Sequence, residues 1–279
     1  MKPTQLFATA AKVACSAVVL ASLFGAQADA QAPAGSANKT LRVWAPEALR
    51  GALQEIGYEF ERQHPNLHIT YEFAPSGVLY AGTVQGVPSD ILILAGDGYQ
   101  NKLTDGGFVN LYHTVAYDHI AAVARCGDAQ ALAGKLDAAY LRSMQGQVVM
   151  PNEDLSPLGG QSMHLFDGLT RSDPKLEAGM ARVLGTDQVA DALKHGGKRL
   201  GMMYASQTTQ YKTQGLCLRS VALASGSYAR VAFTVSVLNS VKFHFVGPRR
   251  KADNDELAAF YRSKYALGVW RQWGLQTAK

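Results

Sequence analysis

The chain has 279 residues, of which 47% are hydrophobic and 18% charged, with 27 Lys and Arg against 22 Asp and Glu. This composition supports a substantial buried core and excludes a disordered or disulfide-dense chain. The net charge of +5 is spread along the chain, so no basic stripe for nucleic-acid binding is predicted. The tightest basic cluster, Arg249-Arg250-Lys251, follows Gly247-Pro248 and is interpreted as a solvated loop.

The first 30 residues have the pattern of a secretory signal peptide. Lys2 and Lys12 precede an apolar stretch from Val13 to Phe24, and the triplet Ala28-Asp29-Ala30 provides a cleavage site. The apolar stretch is too short to span a membrane. We therefore expect residues 1–30 to be removed on export to the periplasm, residues 31–40 to form a flexible leader, and the mature protein to be soluble.

Two cysteines remain after this processing. Cys15 lies in the signal segment, so the exported chain keeps Cys126 and Cys217. A disulfide requires the two Cα atoms to approach to about 6 Å, and the sequence does not determine that distance. A disulfide and two buried thiols are both compatible with the sequence.

The segment from Leu41 to Leu94 alternates apolar strand patterns with helical ones. The patterns predict a strand over 41–44, a helix containing Leu49 to Phe60, a strand over 67–73, a short helix after 75–77 and a buried strand over 91–94. Strands that alternate with helices at this spacing predict a parallel sheet covered on both faces.

The remainder of the chain repeats this alternation with different spacing. The patterns predict strands over 120–124 and 147–150 with a helix over 129–143 between them, a loop over 151–160, helical structure to about 195, strands over 199–204, 216–224 and 228–238, and a long amphipathic helix that begins at Asp253.

Two such α/β units predict two lobes joined by strands near residues 119 and 235. Lobe 1 is expected to comprise residues 41–118 and 235–279, and lobe 2 residues 119–234. A cleft between two lobes is a preferred place for a small ligand.

The sequence offers no local motif for catalysis or metal binding. The seven histidines are dispersed, Gly96-Asp97-Gly98 lacks the third glycine of a dinucleotide site and is interpreted as a turn, and residues 160–164 lack the second glycine of a nucleophile elbow. We therefore predict no metal, no cofactor and no enzymatic activity. Small residues after the strands instead favour anion binding by hydroxyls and by N–H groups at helix N-termini.

Several motifs, in their order along the chain, resemble a known family. They are Val43-Trp44-Ala45, Tyr71 to Gly77, Gln85 to Ile91, Pro157-Leu158-Gly159 and Leu200 to Tyr204. From Leu41 onward the chain resembles the molybdate-binding component of bacterial ABC importers, a type II periplasmic binding protein. The resemblance implies two lobes, each a mostly parallel sheet flanked by helices, in a monomer that captures an oxyanion and delivers it to an inner-membrane permease.

The resemblance also implies ligand positions, which are Ala48, Ser76, Gly77, Leu158, Val189 and Tyr204. Ala48 stands where the family has a serine, so its backbone N–H alone would donate there. Glu47 beside it would repel an anion if its side chain pointed into the cleft. Ser76 keeps the second serine hydroxyl, Leu158 and Val189 would supply backbone donors, and Tyr204 matches the family tyrosine.

The lost hydroxyl leaves the ligand class open. A hydrogen bond to a charged group contributes on the order of 1.5–3 kcal/mol, so losing one lowers oxyanion affinity about tenfold or more. A molybdate-like or tungstate-like oxyanion is the first expectation and a small organic anion the second. Two further alternatives are a sensor module whose cleft is filled by side chains such as Leu158, and a secreted hydrolase with a histidine beside Ser76.

Overall fold

The structure is a computed structural model that describes residues 39–132, 137–144, 146–170, 179–221, 230–239, 241–243 and 248–278. The predicted signal peptide and residues 31–38 of the predicted leader lie outside the described residues. The first strand begins at Lys39, inside the predicted leader. Within the described part of the chain, no helix is long and apolar enough to cross a membrane.

The strands and helices alternate along the chain. The strands are β1 Lys39–Ala45, β2 Leu67–Phe73, β3 Ile91–Ala95, β4 Val109–Arg125, β5 Val148–Pro151, β6 Ala181–Val183, β7 Leu200–Tyr204, β8 Leu218–Val221, β9 Arg230–Leu238 and β10 Gln276–Thr277. The helices are α1 Arg50–Gln63, α2 Ser76–Val84, α3 Asp97–Asp105, α4 Cys126–Leu132, α5 Ala138–Ser143, α6 Pro157–Thr170, α7 Thr186–Lys194, α8 Gln207–Thr213, α9 Pro248–Phe260 and α10 Lys264–Gln272, with a 3-10 turn over Glu47–Leu49 before α1.

The first sheet is built on three parallel strands in the order β2-β1-β3. β3 is buried along its whole length, which is why its sequence is a continuous apolar run. β9 pairs antiparallel with β3 on one side and with β4 on the other, and β10 also pairs with β4. This sheet carries α1, whose apolar face contributes Leu53, Ile56 and Phe60 to the main core.

The second sheet has the parallel order β6-β5-β7, and both β7 and β8 pair antiparallel with β4. β4 therefore belongs to both sheets. Its residues up to His119 pair with β9, whereas Ile120 and the residues after it pair with β7 and β8. The predicted mixed α/β fold is confirmed, and the change of partner in β4 falls between His119 and Ile120.

The two remaining cysteines form a disulfide, which decides the alternative left open by the sequence. Cys126 and Cys217 are bonded with their Cα atoms 5.5 Å apart. Cys126 begins α4 directly after β4, and Cys217 precedes β8, the strand that pairs with that end of β4. The Cys126 N–H also donates to the Cys217 carbonyl at 3.0 Å, so the strand pairing brings the two residues together.

Three predicted helical segments differ from the structure, two because a local cap begins a new helix and one because it contains a strand. The predicted helix over 129–143 is two helices, and Asp137 caps the second by accepting from the Tyr140 N–H at 2.7 Å. The C-terminal helix is likewise divided, because the Ser263 side chain accepts from the Ala266 N–H and begins α10. The helical stretch expected before residue 195 contains β6, which pairs in parallel with β5.

Three predicted turns or loops are helical. Gly96 adopts a φ of 73°, and α3 begins at the next residue, so the glycine turn is the entry to a helix. α6 begins at Pro157, inside the predicted loop over 151–160. The basic cluster lies in α9, where the Arg250 guanidinium donates to both oxygens of the fully buried Asp90 carboxylate. The interpretation of that cluster as a solvated loop is therefore wrong for Arg250, whose charge compensates a buried acid.

Candidate functional site

A small cavity lies between the carboxyl-terminal ends of strands from both sheets. The first sheet contributes Pro46, Glu47, Ala48, Pro75, Ser76 and Ala95, and the second contributes Ser156, Gly185, Thr186 and Tyr204. These residues end or follow β1, β2, β3, β5, β6 and β7. Ligands of open parallel sheets bind at this edge. The cavity has a volume of about 20 Å³, which is room for one water molecule.

The Glu47 carboxylate crosses this cavity from the first sheet to the second. Glu47 lies in the 3-10 turn after β1, and its Oε2 accepts from the Thr186 hydroxyl at 2.9 Å and from the Asp187 N–H at 3.1 Å. Burial, followed by the negative charge of Asp187, raises the pKa of Glu47, and the hydrogen bonds at the α7 N-terminus oppose that rise. The carboxylate is therefore held by neutral donors rather than by a cation.

Gly185 allows this approach. A Cβ atom placed on Gly185 would lie 2.4 Å from Glu47 Oε1, so any other residue there would displace the carboxylate. The close contact leaves Glu47 directly over the first turn of α7, where free N–H groups and the helix dipole favour a negative charge.

A chain of hydrogen bonds makes the Thr186 hydroxyl a donor to the anion. The Tyr204 N–H donates to Gln207 Oε1 at 3.1 Å, which leaves the Gln207 amide nitrogen to donate to Thr186 Oγ1 at 2.8 Å. Because Thr186 Oγ1 accepts from Gln207, its proton is directed to Glu47. Gln207 is fully buried, so this orientation is enforced away from solvent.

The negative charge of the second acid at the site, Asp187, is compensated by an ion pair and a hydrogen bond. Arg50 Nη2 lies 2.5 Å from Asp187 Oδ2, and the Tyr211 hydroxyl donates to Asp187 Oδ1 at 2.7 Å. Arg50 also stacks over the Phe73 ring at 4.5 Å. Arg50 therefore compensates Asp187, and none of the described residues that donate to the Glu47 carboxylate is a cation.

Tyr204 provides a buried donor that the protein does not use. It lines the cavity, is 3% exposed, and its hydroxyl has no hydrogen-bond partner among the described residues. Burial and the nearby Asp118 carboxylate raise the pKa of Tyr204, so the phenol stays protonated at neutral pH. A buried hydroxyl without a partner is costly, and a bound solute oxygen would satisfy it.

The structure brings together three of the residues that the sequence singled out. Ala48, Ser76 and Tyr204 all line the cavity. Ser76 is the first residue of α2, and its hydroxyl oxygen accepts from the Ala95 N–H at 2.9 Å. The hydroxyl proton therefore remains available for another acceptor. Ala48 has a buried methyl group at the position where the resembled family has a serine hydroxyl.

The other three residues lie outside the cavity lining. The Gly77 N–H donates to the Leu155 carbonyl at 2.8 Å, which joins α2 to the loop before α6. Leu158 is fully buried in the main core. Val189 lies one turn into α7, packs against Gly201 of β7, and donates its N–H to the Gly185 carbonyl. The donors of α7 that reach Glu47 stand three and two residues earlier, at Thr186 and Asp187.

Sequence reasoning missed Gly185 and Thr186 because it did not recognise the strand before them. β6 is three residues long and only half-buried, so it has no strand-like periodicity of its own. The available signal was the succession Leu184-Gly185-Thr186-Asp187, in which a glycine precedes a threonine and an acid, as at many helix starts.

Further contacts join the two sheets at the rims of the cavity. On one rim the Gln210 amide donates to the Glu47 carbonyl at 3.1 Å. On the other, the Tyr99 hydroxyl donates to the Asp154 carbonyl at 2.8 Å, beside the Gly77–Leu155 contact. A Cβ atom on Gly77 would lie 2.7 Å from the Leu155 carbonyl oxygen, so the close approach depends on glycine. The described structure is thus closed over the cavity from both sides.

A sequence profile described as bacterial extracellular solute-binding protein matches residues 41–276. The chain belongs to this family. Among curated proteins, no relative matches it. The resemblance inferred from the motifs is confirmed at the level of family and fold.

Solved structures similar to this solute-binding protein include three oxyanion-binding components. The periplasmic molybdate-binding protein of Azotobacter vinelandii has a TM-score of 0.66 at 17% identity, covering 86% of this chain and 100% of that one. The tungstate ABC transporter structure from Geobacter sulfurreducens has 0.64 at 15%, covering 85% and 99%. The sulfate-binding protein of Mycobacterium tuberculosis has 0.70 at 13%, covering 86% and 88%. At such low identities these TM-scores establish a shared fold and no more.

The position of Glu47 sets this solute-binding protein's cavity apart from an open anion site. A doubly charged oxyanion about 4 Å from an ionised carboxylate would be repelled by about 8 kcal/mol at an effective dielectric constant of about 20. That energy exceeds what one or two added hydrogen bonds return. Glu47 and a doubly charged solute therefore cannot occupy the α7 N-terminus together.

No group of three or more His, Cys, Asp or Glu among the described residues is arranged to hold a metal ion.

Proposed function

We propose that the chain is the periplasmic solute-binding component of an ABC importer and that it captures a small oxyanion, such as molybdate or tungstate, in the cleft between its lobes. Lobe 1 would comprise residues 41–118 and 235–279, and lobe 2 residues 119–234. The monomer closes on its solute and presents the closed form to a permease in the inner membrane. Residues 1–30 would direct export and be removed in the process.

One observation carries this proposal, namely that hydrogen-bond donors at the site already hold a carboxyl group. The Thr186 hydroxyl and the Asp187 N–H receive a carboxylate without a paired cation, in a cavity that also contains the Ser76 and Tyr204 side chains. Neutral donors suit a solute that must be released to a permease, because such donors add no formal charge to hold it. Family membership supports the transport role.

A second candidate solute, a small organic carboxylate, is favoured by the same contact. The group that α7 holds in the structure is a carboxylate, whose size and hydrogen bonding therefore fit the site. Hydrolytic activity receives less support. It calls for a histidine beside Ser76, whereas Ser76 accepts from the Ala95 N–H and none of the described residues that line the cavity is a histidine.

The test is a thermal-shift panel on the exported chain with molybdate, tungstate, sulfate, phosphate and small carboxylates. A solute at 100 times its dissociation constant adds about 2.7 kcal/mol to the free energy of unfolding. We expect the largest rise in melting temperature with molybdate or tungstate. A rise with carboxylates alone would favour the second candidate, and no rise with any anion would contradict both.

A further inference from the structure

The site holds one anion of its own. The Glu47 carboxylate takes the two donors at the start of α7, and Gly185 lets it approach more closely than any side-chain-bearing residue would. With Glu47 there, the cavity keeps a volume of about 20 Å³, too small for a tetrahedral oxyanion. A solute that uses these donors must first displace Glu47.

The attachment of Glu47 makes it an intramolecular competitor. Its backbone carbonyl accepts from the Gln210 amide of α8 at 3.1 Å, and its side chain reaches Thr186 of α7. Both contacts run from the first sheet's turn to elements of the second sheet. The same residue therefore occupies the anion position and links the two halves of the cavity.

The charges facing Glu47 leave it in competition with other anions. Asp187, the acid nearest to it, is compensated by Arg50 and by the Tyr211 hydroxyl. No remaining cation among the described lining residues attracts a second anion. The Tyr204 hydroxyl is a donor that Glu47 does not use. A solute with several oxygens can accept from it as well as from the α7 donors, and this additional hydrogen bond favours the solute over the Glu47 carboxylate.

We propose that Glu47 is a tethered anion that occupies the solute position, holds the cavity closed without solute, and sets the affinity and charge preference for solutes by competing with them. This inference rests on the proposed function, because it concerns the same cleft. It identifies Glu47 as a specificity-determining residue.

The test compares three variants with the unmodified exported chain by isothermal titration with molybdate and sulfate. Glu47→Ala removes the competitor, and Glu47→Gln keeps its shape and hydrogen-bonding oxygen but removes its charge. Glu256→Gln is the control with a matched charge change, since Glu256 is half-exposed on α9 and its carboxylate lies 3.8 Å from His64 Nε2. Circular dichroism melting of each variant verifies folding.

We expect Glu47→Ala to bind at least about tenfold more tightly than the unmodified chain, Glu47→Gln to be intermediate, and Glu256→Gln to be unchanged. Small-angle scattering without added anions should show a larger radius of gyration for Glu47→Ala. Equal affinities for the unmodified chain and both Glu47 variants would overturn the inference while leaving the proposed function intact. Failure of every variant to bind any anion of the panel would overturn the proposed function instead.

Discussion

A buried carboxylate lies where β4 changes from one sheet to the other, and its protonation should control stability. Asp118 is 2% exposed and accepts from the His119 N–H at 2.7 Å and from the Ser206 N–H at 3.2 Å. Burial is the main cause that raises the pKa of Asp118 from 3.8 to about 6, and these hydrogen bonds oppose the rise. The folded protein therefore holds this proton at pH values where the unfolded chain has released it.

The sign and size of the effect follow from linkage. The stabilisation from protonated Asp118 is fully present below about pH 4 and is lost as the pH rises through about 6. A pKa rise of this size corresponds to about 3 kcal/mol in the free energy of unfolding. Asp118→Asn keeps the acceptor oxygen and removes the titration, so it should gain stability relative to the unmodified chain as the pH rises.

The measurement is urea denaturation of both proteins between about pH 4 and about pH 7. The difference in unfolding free energy between Asp118→Asn and the unmodified chain should increase with pH by up to about 3 kcal/mol. The exposed Asp105→Asn, at the end of α3, is the control and should show no comparable trend. A difference that is constant across this range would refute the assignment of a raised pKa to Asp118.

Three further predictions concern the cavity and the disulfide. Tyr204→Phe removes a buried hydroxyl without a partner, so it should raise the stability of the solute-free protein by about 1 kcal/mol in urea denaturation, yet weaken anion binding about tenfold in titrations; a loss of stability would contradict the first part. Ser76→Ala leaves the buried Ala95 N–H without an acceptor, and we expect it to cost about 1–3 kcal/mol and to weaken solute binding, whereas unchanged affinity would limit Ser76 to a structural role. Replacing both Cys126 and Cys217 by serine opens a link between residues 91 apart and should lower the unfolding free energy by about 2–5 kcal/mol; a change below about 1 kcal/mol would show that the disulfide contributes little.

The parts of the fold that depend on local apolar pattern could be predicted from the sequence. β3 is a continuous apolar run, β1 buries Leu41 and Val43 on either side of Arg42, and α1 places apolar residues at helical spacing on one buried face. In each of these segments the apolar pattern fits only one type of secondary structure, either a strand or a helix. The fold class follows from their alternation.

β4 could not be predicted at its full length because polar residues interrupt its pattern. The prediction covered 120–124, whereas the strand begins at Val109. His113, Asp118 and His119 lie within it, and the buried Asp118 accepts a hydrogen bond from Ser206, 88 residues away. Such compensation depends on tertiary contacts, which a local pattern does not contain.

The candidate-site residues that adjoin strands with a clear pattern could be predicted, whereas those that follow the three-residue β6 could not. Ser76 follows the clear strand β2, and Tyr204 ends the clear strand β7. Glu47 was recognised as a carboxylate near the cleft, but its partner Thr186 lies 139 residues away and follows a three-residue strand. The inward direction of Glu47 depends on that pairing and on the absence of a Cβ atom at Gly185.

The most direct test of the anion site is a crystal structure of the exported chain grown with tungstate, whose tungsten atom is located by anomalous scattering. We predict one strong peak between Thr186 and Tyr204, with the Glu47 carboxylate displaced from the start of α7. A structure in which the cleft contains no tungsten and Glu47 still accepts from Thr186 would contradict an oxyanion site at this position. This holds whether tungstate binds elsewhere on the protein or not at all.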